Sequence, residues 1–345
     1  MAQPPRPGGR SRRRRRLRRI LLATSACLVV LAGAVAGGGY FYANHVLSSI
    51  RRIPVAALDA AHQPVMPTQT RQSQTVLVTG SFALPGTIGG GGVDGSSTAP
   101  EDQSGLITLV HFNASGRAGA VVSIPPNAVV AVPGHGQTEL WNTLTIGGPS
   151  LLIRTVEGLT NVRIDHYSVV DFPGVSEIIS AMGGVDVDVP YTVTSFGDTF
   201  PPGIDLLTGA DVLPYVRQPG VSEIGRELLQ QNLMRAVLDE IASRHLFSHL
   251  MTDYHVLDTV SAAFSVDSNF TNSQLEHDLL KVGNLRGHDG TFVSAQVIGE
   301  SATMGGTSPV HLSGIDRQLW RAIRDDSVAA FAARYPYTVT PGAPG

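Results

Sequence analysis

Apolar positions along this chain fall into three spacings, and each predicts a different element. The first is an unbroken run over residues 20–36 (ILLATSACLVVLAGAVA), continued by three glycines and by Tyr40, Phe41 and Tyr42. A helix needs about 20 residues to span a bilayer, so residues 20–42 are predicted to form one transmembrane helix. Residues 43–72 carry Pro54, Pro64 and Pro67 with no long apolar period, and are expected to be a juxtamembrane linker. The second spacing is short and β-rich. It predicts strands over residues 75–80 (TVLVTG), 106–112 (LITLVHF), 119–124 (GAVVSI), 165–172 (DHYSVVDF), 185–189 (VDVDV) and 291–298. The second and third of these are joined by a turn and read as a hairpin. The strict alternation of VDVDV marks a strand with one wet face. The third spacing is helical. It predicts helices over residues 148–158, 175–182, 223–247, 251–264, 272–282 and 314–333. The longest shows one buried stripe of Ile224, Leu228, Met234, Val237, Leu238 and Ile241, and Gly183 and Gly184 cap the helix before VDVDV. Interleaved strands and helices imply an α/β (α+β) sandwich over residues 73–333. The Pro/Gly-rich residues 334–345 are expected to be a disordered tail.

Charge sets the orientation of this arrangement. The 345 residues carry a net −3, but residues 1–19 hold nine arginines and no acid. The remainder keeps 16 basic residues against 28 acidic ones, a net of −12. Arginines stay on the cytoplasmic side of a span, so residues 1–19 are read as a cytoplasmic tail and the body is placed outside the plasma membrane. The acidic body argues against duplex DNA, and no nucleic acid partner is expected. Ala34-Val35-Ala36 has the form of a signal-peptidase site, which leaves cleavage at Ala36 as an alternative. The single cysteine, Cys27, excludes an internal disulfide and a cysteine-based zinc site. No phosphate-binding G-x-x-x-x-G-K-[ST] loop, G-x-S-x-G elbow or H-E-x-x-H helix is present. His111, His135 and His166 are scattered, Trp141 and Tyr167 read as core aromatics, and Asp186 and Asp188 as the solvated side of their strand.

Five pieces in order carry a more specific signal: residues 76–81 (VLVTGS), Ser123-Ile124-Pro125, residues 164–172 (IDHYSVVDF) with Gly183-Gly184-Val185-Asp186-Val187, residues 203–217 (GIDLLTGADVLPYVR), and residues 223–231 (EIGRELLQQ). Together they resemble the LytR-CpsA-Psr family, the cell envelope-related transcriptional attenuator domain. The resemblance implies a central mixed β-sheet flanked by helices behind one N-terminal span. It also implies transfer of a glycopolymer from a polyprenyl-diphosphate carrier to peptidoglycan, with Mg2+ bridging the phosphates. On this reading Arg217, Arg226 and Gln230 bind phosphate. Arg226 and Gln230 are four apart on one helical face, guanidinium forks suit phosphate oxygens, and a helix start favours anions. Glu223 is the candidate catalytic acid–base. The partners implied are a polyprenyl phosphate or lipid-linked glycan, peptidoglycan, and the membrane.

The chain also departs from the family pattern. The family's charged residues fall here on Phe82, Gln103, Gly105, Pro126, Asn127, Pro219 and Leu229. The expected Mg2+ ligand positions are largely lost, and the metal ligands are left unassigned. Three readings stay open: a glycopolymer transferase with an altered site, a family member that binds the lipid carrier or a partner without transfer chemistry, and a scaffold with no ligand.

Overall fold

A computed structural model of the chain describes residues 44–58, 73–82, 103–114, 119–218, 223–243, 259, 261, 263–284, 290–298 and 309–339. The predicted span and the arginine tail lie outside the described residues. Among the described residues, no helix is long and apolar enough to cross a membrane. The chain divides into two units, Met1–Val46 and Leu47–Gly345. Residues 44–46 of the first are helical.

The second unit runs in chain order through β1 (Arg51–Ile53), β2 (Gln74–Ser81), β3 (Gln103–Phe112), β4 (Gly119–Ser123), the hairpin β5 (Val129–Val132) and β6 (Gly136–Glu139), and α1 (Asn142–Thr160). Then come β7 (His166–Asp171), α2 (Phe172–Met182), β8 (Val185–Val189), the hairpin β9 (Val193–Ser195) and β10 (Asp198–Phe200), β11 (Gly203–Leu207), α3 (Gly209–Val216) and α4 (Glu223–Ser243). The remainder is β12 (Phe264–Asp267), α5 (Asn272–Asn284), β13 (Gly290–Ser294), β14 (Val297–Ile298), β15 (His311–Leu312), α6 (Asp316–Arg324) and α7 (Val328–Arg334). Seven strands form one mixed sheet in the order β1-β12-β7-β2-β3-β4-β13. β7 lies parallel to β2 and β13 parallel to β4, whereas β3 runs antiparallel to both β2 and β4.

The sheet is buried on both faces because its central strands are apolar at consecutive positions. In β2, Leu77 joins the main core while Val76 and Val78 join a smaller cluster with Phe112. The main core packs Leu77, Leu109 and Val122 against Leu152 of α1 and Trp320 and Ile323 of α6. Each such side chain contributes about 1.5–3 kcal/mol on burial. A second apolar lobe joins Ile179 of α2, Val187 of β8, Val212 and Tyr215 of α3, and Leu229 of α4.

Several elements differ from the sequence expectation, each for a local reason. The helix expected at residues 148–158 is present, and a short helical segment from Asn142 precedes it across a kink at the non-helical Gly147 and Gly148, the latter at φ 63°. The strand expected to reach Phe172 stops at Asp171, because Phe172-Pro173 opens α2 with proline in its first turn. The segment 251–264, expected to be helical, ends in a strand: Phe264 begins β12. The strand expected over 291–298 is two strands, and the backbone N–H of Gln296 between them donates to Asp316 Oδ1 at 2.9 Å. The last helix is broken into α6 and α7 at Asp326, which sits at φ 51°. Within the expected linker, Arg51–Ile53 pairs in parallel with β12 at the sheet edge. Within the expected tail, Pro336–Thr338 forms a 3-10 turn with Thr338 buried. The strand β11 was not predicted: its apolar Ile204 and Leu206 are 62% and 58% exposed, only Leu207 is buried, and pairing with β8 defines it.

Candidate functional site

The topology brings several chain ends to one rim of the sheet. Parallel pairing places Ser81 beside Asp171, so β2 and β7 finish side by side. Antiparallel β3 starts there, with Gln103 opposite Ser81. The parallel pair β4 and β13 places Ser123 opposite Ser294. Carboxyl ends of parallel strands are where open α/β sheets accept ligands.

Two aromatic residues leave this rim together. Phe82 follows β2, Phe172 follows β7, and their rings stack at 4.6 Å with 13° between planes. Phe172 belongs to the second apolar lobe and Phe82 packs against it. Arg217, at the C-terminal end of α3, places its Cζ 5.7 Å from the centroid of the Phe82 ring, within cation–π range. The helix α3 that delivers it is started by a reciprocal capping box between Thr208 and Asp211. A Cβ on Gly105 of β3 would stand 2.6 Å from Phe82 Cε2 and 3.1 Å from Gln230 Nε2. Phe82, Gly105 and Gln230 therefore meet at one point, with Arg217 over the ring.

The helix α4 is registered onto the rim by its own amides. Gln231 Nε2 donates to Ser123 Oγ at 2.5 Å and to Ser294 Oγ at 3.1 Å, and approaches Glu227 Oε1 at 3.5 Å. Ser123 is in turn 3.3 Å from Thr108 Oγ1. One residue before Gln231, Gln230 is 3% exposed and its Oε1 has no hydrogen-bond partner among the described residues. Gln218, next to Arg217, is 1% exposed, and neither amide atom has a partner there. Buried carboxamides are normally satisfied; Gln230 meets Phe82 and Gly105 at the rim, and Gln218 is a candidate through its place directly after Arg217. Arg226 is half-buried in the first turns of α4. Asp171 closes β7 beneath Phe172. Burial pushes its carboxyl up to about 6, with the Gly174 N–H opposing and Glu177 adding to the rise.

The expected residues are thus placed unequally. Arg217, Gln230, Phe82 and Gly105 come together. Glu223 begins α4, but its side chain lies outside the described residues, as do Pro219 and the side chain of Gln103. Pro126 and Asn127 serve the backbone: Pro126 O accepts from Trp141 N at 2.9 Å, and Asn127 O accepts from Val310 N at 3.1 Å. Leu229 is 0% exposed in the apolar lobe, so this position points into the core instead of the rim. The histidines are structural. His166 Nδ1 pairs with Asp267 Oδ2 at 3.0 Å and His111 Nε2 with Asp326 Oδ1 at 2.8 Å, at the opposite end of β2 and β7. Tyr167 Oη bonds Thr79 Oγ1 at 2.8 Å in the core. The alternation of β8 leaves Asp186 exposed, as its pattern predicts. Phe172, Asp171 and Gln218 were missed by sequence reasoning. The Asp-Phe-Pro run signals a helix start, and an isolated glutamine carries no signal at all.

The residues at the rim do not fit Mg2+. This hard cation takes carboxylate and water oxygens in an octahedron. Of the three positions where the resemblance expects acids, two carry a phenyl ring and a glycine, with the ring filling the space above the glycine, and the third carries the neutral amide of Asn127. Among the described residues, no three His, Cys, Asp or Glu side chains are grouped to hold a metal ion.

Fold and rim together define a mixed α/β domain that presents an arginine and buried amides beside an apolar lobe. A model of the LytR_cpsA_psr family matches residues 49–308, and the chain belongs to the LytR-CpsA-Psr family. A polyisoprenyl-teichoic acid–peptidoglycan teichoic acid transferase, TagU of Bacillus anthracis, is 30% identical over 238 residues, covering 68% of this chain and 75% of that protein. Among solved structures, the LytR-Csp2A-Psr enzyme from Actinomyces oris superposes with a TM-score of 0.60 at 18% identity, covering 79% of this chain and 95% of that one. TagT bound to LI-WTA superposes with a TM-score of 0.56 at 19% identity, covering 80% and 99%. These superpositions establish the fold.

Proposed function

We propose that this chain is a membrane-anchored cell-envelope protein that binds a glycopolymer carried on a polyprenyl phosphate or diphosphate. Its N-terminus lies in the cytoplasm and its domain outside the plasma membrane. The observation that carries the reading is the placement of the Arg217 guanidinium over Phe82, whose stacking partner Phe172 is part of the apolar lobe. An anionic headgroup and an isoprenoid tail need a cation and an apolar wall side by side. Arg226 and the N-terminal turns of α4 add positive potential at the same helix.

A second reading is transfer of the glycan to peptidoglycan, favoured by the similarity to the teichoic acid transferase TagU. On that reading an acceptor hydroxyl oxygen attacks the glycan-bearing phosphorus. The phosphorus–oxygen bond to the polyprenyl phosphate breaks, Glu223 accepts the hydroxyl proton, and Arg217 and Arg226 neutralise the leaving phosphate.

Mass spectrometry of the full chain purified from its membranes tests the first reading. A polyprenyl-linked species should co-purify, and its loss in Arg217→Ala is the expected control. Absence of any such lipid from the wild-type chain overturns it. Incubation with a lipid-linked donor and peptidoglycan tests the second. Transfer comparable to that of a TagU relative supports it, and none at all restricts the protein to binding.

A further inference from the structure

We propose that the rim binds the phosphate of its lipid-linked ligand without a divalent cation, using the carboxamides of Gln218 and Gln230 beside Arg217, with the Phe82 ring standing where a metal would sit. This rests on the carrier-binding reading above and specifies the ligand chemistry of that site.

Three observations lead to it independently. First, the Phe82 ring is wedged between the Phe172 ring at 4.6 Å and the bare backbone of Gly105, where even a methyl group would collide at 2.6 Å. A metal with its coordinated waters has no room there while the stack is formed. Second, Gln230 presents its Nε2 against the same point, and its Oε1 has no hydrogen-bond partner among the described residues. Third, Gln218 is buried with both amide atoms unpaired among the described residues, in the position following Arg217. Two buried, incomplete carboxamides near one arginine are the signature of polar groups awaiting a ligand.

The electrostatics agree with this. Carboxylates lining a diphosphate site repel the anion, and a divalent cation is then needed to bridge them. A neutral amide repels nothing, and its N–H groups donate directly to phosphate oxygens. Loss of the acids at positions 82 and 105 leaves Asp171 as the strand-end carboxyl at this rim among the described residues, too few ligands to hold the metal and less negative charge for it to offset. Arg217, Arg226 and the start of α4 remain to balance the anion. The ligand chemistry that fits is an isoprenoid phosphate or diphosphate whose apolar tail lies along the Phe82–Phe172 stack.

The experiment is a titration of the full chain in detergent with geranylgeranyl diphosphate, and separately with inorganic diphosphate, in excess Mg2+ and in EDTA. The expected result is an affinity for the isoprenoid equal within about twofold in both conditions. Gln218→Leu and Gln230→Leu should each weaken binding about tenfold, close to the loss of one hydrogen bond to a charged group. The double variant Phe82→Asp/Gly105→Asp should bind only with Mg2+ present. A wild-type affinity that falls tenfold or more in EDTA and returns with Mg2+ overturns this inference and leaves carrier binding intact. Unchanged binding in both glutamine variants also overturns it. No binding of the isoprenoid under either condition overturns the carrier-binding reading as well. The comparison of EDTA with Mg2+ uses the unmodified chain, so it stands whether or not a variant folds.

Discussion

Adding a single methyl group at Gly105 tests how tightly the rim is closed. The new Cβ of Gly105→Ala would stand 2.6 Å from Phe82 Cε2 and 3.1 Å from Gln230 Nε2. Carbon atoms rest at about 3.5–4.0 Å, so the Phe82 ring must retreat by about 1 Å. Its face is held against Phe172 at 4.6 Å and its other neighbour is the Arg217 guanidinium, so retreat weakens both contacts. Overpacking of this kind costs about 1–3 kcal/mol. Phe82 is only half-buried and is the flexible partner, which favours the lower part of that range, about 1–2 kcal/mol. At about 2–4 °C per kcal/mol for a domain of this size, the melting temperature should fall by about 2–8 °C. Gly105 lies in β3 and is not among the glycines with positive φ, so backbone strain adds nothing. In a Phe82→Ala background the colliding ring is gone, and the same methyl should cost less than about 0.5 kcal/mol. Thermal melting of the four proteins in the cycle, followed by circular dichroism, gives the coupling directly. Equal losses in the two backgrounds would show that Phe82 does not fill the space above Gly105, and the account of the missing metal site would fall with it.

Other residues give independent checks. Leu229→Arg, which restores the family's charge at this position, should cost more than about 4 kcal/mol, because the side chain is 0% exposed among apolar groups; a wild-type melting temperature would contradict the placement. Glu157 accepts from Ile164 N at 2.9 Å, and burial, only partly opposed by that hydrogen bond and by Arg163, raises its carboxyl from 4.5 to about 7. The folded state therefore holds a proton that the unfolded state releases. Its stabilising effect is complete below about pH 4.5 and lost as pH rises to about 7, an effect of about 3 kcal/mol at most. Glu157→Gln should flatten this part of a stability–pH curve measured by urea denaturation, and an unchanged slope would refute the assignment. Asp267 accepts from His166 Nδ1, Tyr167 N and Asn269 N at 3.0, 3.0 and 2.8 Å. Asp267→Ala leaves two buried donors, His166 Nδ1 and Tyr167 N, unpaired and should lower stability by about 2–3 kcal/mol; a shift in urea midpoint equivalent to less than about 1 kcal/mol would count against that network.

Local pattern was enough to identify the central strands and the longer helices, but not every buried face: α4 buries Leu229, Leu233 and Ala236, whereas Leu228, Met234, Val237, Leu238 and Ile241 of the expected stripe are half-buried. The run VLVTGS placed β2, IDHYSVVDF placed β7, and the glycine pair after Met182 marked the end of α2 where the chain turns at φ 81°. Those short segments also carried the family resemblance, since a tight turn or a strand end needs particular residues within a few positions. Other features could not be read this way. The strand β11 exposes Ile204 and Leu206 and exists through its partner, and the short helical segment before the kink in α1 was not predicted. At the rim, Phe82, Gly105, Gln230 and Arg217 lie in four different elements, and their meeting depends on sheet order and helix register. The chain by itself therefore determined which charged residues are missing from the family pattern. Only the folded molecule decided that a stacked phenyl ring occupies their place and that the Gln218 amide and Gln230 Oε1 lack hydrogen-bond partners among the described residues, because volume and hydrogen-bond satisfaction are properties of neighbours distant in sequence.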